Sequence, residues 1–298
     1  MPRMLDESPD LLERLSHVEI VYTDLDGTLL GRGGTLLVDG AGSPSTVAAE
    51  AIVRLNLAGM PIVPVTGRSR LQCTEIVRMC GWKDFICEAG SIRSYYDGRR
   101  RTNHFDTPGW SIREHDAIAS GQTPLQLISE SGALDALQAA FPGQIEHHEP
   151  WHHAREGTDV LRGYIDTDEA QRVLNRLSLP VDIIDNGVIH PKVTTLRLSN
   201  EPIRAFHLVP RGVSKVRAIQ LDLASRGIDA AHAVMIGDGP SDLKTASLVG
   251  LTLLVENALK SPGLEEALTA APNAAIVRGR QTEGWAEFAA ALLDAKGV

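Results

Sequence analysis

Cysteine is scarce in this sequence: three residues, Cys73, Cys80 and Cys87, in a chain of 298. An odd number without a close pair does not make the oxidised framework of a small secreted domain, so reduced and mostly buried thiols are expected. An excess of positive charge is missing too, since 29 Lys and Arg face 38 Asp and Glu for a formal charge of -9. That balance excludes the general electrostatic footprint of a non-specific DNA or RNA binder. No uncharged apolar run approaches the roughly 20 residues needed to span a bilayer, so no membrane partner is expected. The opening stretch, Met1 to Asp10, carries acidic residues and lacks the apolar core of a signal peptide, which makes the cytoplasm the expected location. Internal repeats and low-complexity tracts are absent as well.

Hydrophobic residues make up 43% and charged residues 22%, ordinary values for a packed globular protein. The length suits two cores, because single cores stop growing at about 250 to 300 residues. Val18 to Thr23 is rich in β-branched residues and breaks off at Asp24, which reads as a buried strand ending in a polar turn. A helix over Pro44–Leu57, with Ser43 or Ser45 as its cap, and a strand over Pro61–Val65 follow. The alternation continues with a helix at Arg70–Cys80 and a short strand at Asp84–Cys87. Near the carboxyl end it resumes with a helix at Val213–Arg226 and strands at Ala233–Ile236 and Leu251–Val255. Such alternation predicts an α/β fold, a doubly wound, Rossmann-like parallel sheet covered on both faces. Between about Ser91 and Phe206 the texture changes: turn signals at Asp97-Gly98 and Asn186-Gly187 separate short strands, with helices near Leu125–Phe141 and Asp168–Leu177. This is an α+β insertion, so the expected division is a core of residues 1–90 and 207–298 and an inserted domain of residues 91–206.

In a doubly wound sheet, ligands bind outside the carboxyl ends of the strands, so polar residues that follow buried strands deserve inspection. Four places qualify: Asp24-Leu25-Asp26-Gly27-Thr28, Thr66-Gly67-Arg68-Ser69, Lys215 at a helix start, and Gly237-Asp238-Gly239-Pro240-Ser241-Asp242. Paired carboxylates in a confined site repel unless a cation compensates them, and hard Mg²⁺ favours such oxygens. Asp238 and Asp242 deepen the negative charge and the need for that ion. Thr66 offers a hydroxyl, and the backbone N–H groups around Gly67 offer further donors, to phosphate oxygens; Lys215 adds a point charge. Together these are the parts of a phosphoryl-transfer site.

The four motifs resemble, in the same chain order, those of the haloacid dehalogenase superfamily, and the resemblance covers almost the whole chain. Carried over residue by residue, it makes Asp24 the attacking carboxylate that forms an aspartyl-phosphate. Asp26 becomes the acid and base, its backbone carbonyl reaching the metal. Asp24, Asp26, Asp238 and Asp242 are the implied Mg²⁺ ligands, with Asp242 ligating or orienting from just outside. Thr66, Gly67 and Lys215 are the implied phosphate-binding residues. The insertion lies between Thr66 and Lys215, after the third strand, and this placement looks like the group of Cof-type, sucrose-phosphate and mannosylglycerate-phosphate phosphatases and phosphomannomutases. A small phosphorylated metabolite, a sugar phosphate or sugar-glycerate phosphate above all, is the implied substrate. A phosphosugar mutase and a non-catalytic phosphate sensor are the competing readings, and the oligomeric state is not legible.

The sequence departs from those relatives twice: Glu88 is followed by Ala89 where Asn is frequent, and Ser241 stands where Asn is common. Substrate contacts are expected from the insertion, with Arg162, Tyr164, Asn186, His190, Lys192 and His207 as candidates, His207 near the domain interface. Arg68 either touches substrate or caps a helix. The run Glu146-His147-His148-Glu149-Pro150-Trp151-His152-His153 is open to three readings: a second metal site, a substrate-facing loop or plain surface. Gly31-Arg32-Gly33-Gly34 lacks the G-x-x-x-x-G-K-[ST] pattern of a nucleotide cradle and reads as a flexible flap.

Overall fold

The computed structural model describes residues 2–298. After helix α1 (Pro9–Leu15) comes strand β1 (Ile20–Thr23), whose four residues are all buried. Side chains alternate across a strand. Thus Val21 joins a cluster with Leu11 and Leu15 of α1 and with Ile52 and Leu55 of α2 (Val47–Leu57), while Ile20 and Tyr22 meet the opposite layer. Helix α2 starts three residues later than expected, on Thr46. Strand β2 (Ile62–Pro64) pairs parallel with β1, and helix α3 spans Arg70–Cys80. Its N-cap, Ser69, accepts a hydrogen bond from the Gln72 backbone N–H, and Gly81 ends it in the left-handed conformation at φ +73°. The three cysteines are free and buried.

Strand β3 (Phe85–Cys87) is tied to β2 by a single parallel bridge, Val65 to Ile86, and then turns the pairing around. It runs antiparallel to β4 (Ile92–Tyr96), which pairs antiparallel with β5 (Arg101–Phe105) through the Asp97-Gly98 turn. Ile92 and Phe105 pack into the same cluster as β1, so this hairpin sits with the core although the sequence assigned it to the insertion.

The insert proper carries helices α4 (Ile112–Ala119), α5 (Pro124–Glu130), α6 (Ala133–Ala140) and α7 (Thr167–Leu174). They lie with an antiparallel sheet of β6 (Ile145–His147), β7 (Asp159–Gly163), β8 (Val181–Val188) and β9 (Arg204–Pro210), in the order β6-β7-β9-β8. The single helix expected over Leu125–Phe141 is two, because Gly132 at φ +74° separates them. Asn186-Gly187 forms no connecting turn. It lies inside β8, where the register shifts between Asp185 and Val188. The insert's own cluster runs from Trp110 to Leu208, so β9 belongs to it and the expected boundary at residue 206 falls inside that strand.

The chain returns to the core through α8 (Lys215–Arg226), β10 (Ala233–Gly237), α9 (Pro240–Leu243), β11 (Leu251–Val255), α10 (Leu264–Thr269), β12 (Ala274–Val277) and α11 (Thr282–Lys296). The parallel sheet has the order β12-β11-β10-β1-β2. Consecutive chain segments thus lie on opposite sides of β1, and the carboxyl ends of β1, β2 and β10 open onto one crevice. Among the described residues, no helix is long and apolar enough to cross a membrane.

Candidate active site

Asp24 stands at the end of β1, its backbone N–H donated to the Ile236 carbonyl of β10 at 2.8 Å. Lys215, the first residue of α8, reaches into the same crevice, and its Nζ donates to Asp24 Oδ1 and Asp242 Oδ1, each at 2.7 Å. The other oxygen of Asp242 accepts the backbone N–H groups of Asp238 and Gly239, both at 3.1 Å. Carboxylate oxygens of Asp24, Asp238 and Asp242 lie within 4.8 Å of one another. The glycines of the motifs answer to this crowding. A Cβ on Gly27, at φ +84°, would lie 2.2 Å from Asp238 Oδ2, and one on Gly237 would lie 2.3 Å from the Asp242 carboxyl carbon.

The chain is 25% identical to a phosphoglycolate phosphatase of Methanothrix thermoacetophila over 81% of its own length and 85% of that protein's. Its fold matches the solved sucrose-phosphatase of Synechocystis (TM-score 0.58, 16% identity, 92% of this chain and 98% of that one). It also matches a haloacid dehalogenase-like hydrolase of Bacillus subtilis (TM-score 0.51, 17% identity, 93% and 98%). The chain thus has the fold of solved haloacid dehalogenase-like hydrolases and is similar in sequence to archaeal phosphoglycolate phosphatases. No family model matches it.

The electrostatics of the crevice follow from its burial. Burial pushes the Asp24 carboxyl well above its usual range, and Asp242 and Asp238 add to that push while Lys215 opposes it. Burial and then Asp242 raise Asp238 to about 7. Burial also works against the charge on Lys215, yet Asp24 and Asp242 together hold its pKa above the usual value. Three carboxylates against one ammonium leave surplus negative charge in a buried place, and an all-oxygen set of this kind fits a hard divalent cation.

Asp26 points its carboxylate elsewhere. It is gripped by Arg68, whose Nε and Nη2 donate to its two oxygens at 2.7 and 2.6 Å. Its side chain is therefore outside the carboxylate trio. Thr66 is buried at the end of β2, its hydroxyl accepting the Arg68 backbone N–H at 3.2 Å. Against Gly67 lie two residues from the insert: a Cβ on Gly67 would be 3.2 Å from His207 Nε2 and 3.7 Å from Asn186 Nδ2. His207 and Asn186 thus lie against Gly67, in the loop that follows β2. Arg162 does not share that position. It is buried within the insert, donating to Glu146 at 2.6 Å and to the Glu149 and Val193 carbonyls. Tyr164 bonds the Arg197 carbonyl at 3.0 Å, while His190 and Lys192 line a cavity built wholly from insert residues.

Three further residues are given no role by the sequence reading. Asn257 follows β11 and donates to the Gly27 carbonyl at 3.0 Å and to Asp238 Oδ2 at 3.3 Å. The rule that selected the other motifs, a polar residue just after a buried strand, also applies to it. Arg155 donates to the Gly67 carbonyl at 2.9 Å and is without an ion-pair partner among the described residues. Glu88, fully buried at φ +50°, accepts backbone N–H groups from Glu156, Gly157 and Thr158 at 2.9 to 3.3 Å, which clasps the insert to the core. Neither role has a sequence signal, because both depend on contact between segments more than 60 residues apart.

Proposed function

We propose that this chain is a Mg²⁺-dependent phosphomonoesterase of small phosphorylated metabolites that works through an aspartyl-phosphate on Asp24. The observation that carries the reading is the Lys215 bridge between Asp24 and Asp242 at the mouth of the parallel sheet. Asp24 Oδ attacks phosphorus and the bond to the leaving alcohol breaks, with Asp26 giving that alcohol its proton. Water then attacks the phosphorus, Asp26 takes back a proton, and phosphate leaves with Asp24 restored. Thr66, the backbone N–H of Gly67 and Lys215 hold the phosphoryl oxygens as their charge redistributes. Asp24, Asp238 and Asp242, with the Asp26 carbonyl, would hold the ion, which when bound neutralises the carboxylates and polarises the phosphoryl group.

The insert acts as the cap that selects the alcohol. Arg155, a guanidinium beside Gly67 with no carboxylate at ion-pair distance among the described residues, favours a phosphomonoester carrying a carboxylate, of the glycolate or glycerate type, over a neutral sugar phosphate. The archaeal relatives' name points the same way, whereas the sugar-phosphate expectation rests on resemblance to the cap group. The test is a phosphate-release screen with Mg²⁺ and no bisphosphate activator, over phosphoglycolate, phosphoglycerates, sugar phosphates and nucleoside monophosphates. Release from the carboxylated substrates at the highest kcat/KM is expected. Preference for neutral sugar phosphates overturns the substrate class, and no release from any member overturns the phosphatase.

A further inference from the structure

The insert carries a second set of ligand atoms of a different chemical kind. Between β6 and β7 the chain folds back on itself, with the His152 N–H donated to the His148 carbonyl at 3.0 Å and the His153 N–H to the Pro150 carbonyl at 3.2 Å. This turn brings Glu149 Oε2 to 3.0 Å from His153 Nε2 and 3.5 Å from His152 Nδ1. One donor atom from each of the three lies within 4.8 Å of the other two. His152 Nδ1 is shut off from solvent and has no hydrogen-bond partner, an orphan that a shielded ring nitrogen does not normally keep. Its ring is held on two sides, stacked on His147 with centroids 4.5 Å apart and planes at 7°, and against His153 at 3.9 Å. His147 is itself tied to Asp159 at 3.2 Å. Beside the cluster opens a cavity of about 840 Å³, lined in part by Glu149 and Trp151, with room for water on a metal.

We infer that Glu149, His152 and His153 form a binding site for a divalent transition metal, with Zn²⁺ as the reference ion and water completing its coordination. Two imidazoles and one carboxylate are a borderline-soft set that suits Zn²⁺ and disfavours Mg²⁺, in contrast to the all-oxygen set at Asp24. The site is one step from the catalytic centre. Trp151, inside the turn, accepts the Arg155 Nε–H at 2.7 Å through its carbonyl, and the same guanidinium reaches the Gly67 carbonyl at 2.9 Å. A metal that stiffens the turn therefore fixes the residue seated on the phosphate loop.

The experiment uses the full chain stripped with a chelator and held in excess Mg²⁺, so that the carboxylate trio is occupied. Zn²⁺ is titrated against a chromophoric chelator, and Co²⁺ is added separately to read its d–d absorption. One equivalent of Zn²⁺ and a tetrahedral Co²⁺ spectrum are expected. His153→Ala, at an exposed position that leaves the insert folded, should lose both, while Asp24→Asn should keep both. Absence of the equivalent from the parent protein overturns the site, and so does its retention by His153→Ala.

Discussion

Arg68 holds Asp26 at two points, Nε on Oδ2 at 2.7 Å and Nη2 on Oδ1 at 2.6 Å, and so aims the proposed acid from the residue that follows the phosphate loop. Charge-assisted pairs of this geometry orient as well as stabilise. The pair is partly exposed, which trims its strength. Arg68→Ala is expected to lower kcat/KM by about tenfold, the equivalent of roughly 1.4 kcal/mol, with partial recovery in Arg68→Lys. Steady-state kinetics on the best substrate of the screen decide it, and unchanged kinetics would remove Arg68 from the site.

Asp24→Asn separates chemistry from stability. The amide cannot attack phosphorus, so turnover should vanish. Burial and the neighbouring carboxylates already disfavour a charge at this position, so the melting temperature of the metal-free variant should equal or exceed that of the parent. Residual steady-state hydrolysis, or a clear fall in Tm, contradicts the assignment.

Lys215→Met removes the ammonium between Asp24 and Asp242. Leaving buried charge uncompensated costs about 3 to 5 kcal/mol. Urea unfolding of the metal-free variant should show that loss, and Mg²⁺ should return part of it. A loss that Mg²⁺ leaves untouched argues against a cation site at the trio.

The Asp238 carboxyl, raised to about 7, sets a pH dependence. An acid whose pKa is higher folded than unfolded binds more protons in the folded state between the two values, so stability falls as pH rises through that interval. Metal-free protein should therefore lose stability between about pH 4 and pH 7, and the Asp238→Asn variant should show a flatter profile. Thermal melts across this range, repeated with Mg²⁺, provide the measurement. An identical slope in parent and variant rules the effect out.

Glu88→Ala should open the clasp between core and insert. The substitution strands the N–H groups of Glu156, Gly157 and Thr158, and buried unsatisfied donors cost about 1 to 3 kcal/mol each, less where water enters. A net loss of about 3 kcal/mol in urea unfolding is expected, together with faster limited proteolysis between residues 148 and 158. Equal proteolysis of parent and variant would show that the clasp does not hold the insert.

Much of this was legible before any coordinates, and the reasons are local. The β-branched run before Asp24 and the helical run from Arg70 to Cys80 each act through neighbours a few residues away. The approximate reach of α3, Arg70–Cys80, and of β11, Leu251–Val255, is accordingly legible in the sequence. The break at Gly132 and the shifted register at Asn186-Gly187 were misread. A glycine in the left-handed conformation serves a turn, a helix junction or a bulge equally well, and the partner strand decides among them.

The sequence by itself determined where the candidate groups stand, because Asp24, Thr66, Lys215 and the pair Asp238 and Asp242 each sit where a buried strand ends or a helix begins, and chain order places them at one end of a parallel sheet. Only the tertiary structure decided how those groups are shared out. Lys215 spans Asp24 and Asp242, Arg68 claims Asp26, Glu88 gathers the insert, and Arg155 rather than Arg162 reaches Gly67. Side-chain pairing depends on distance in space and on which competing partner is nearer, and neither is written in the spacing of residues along the chain.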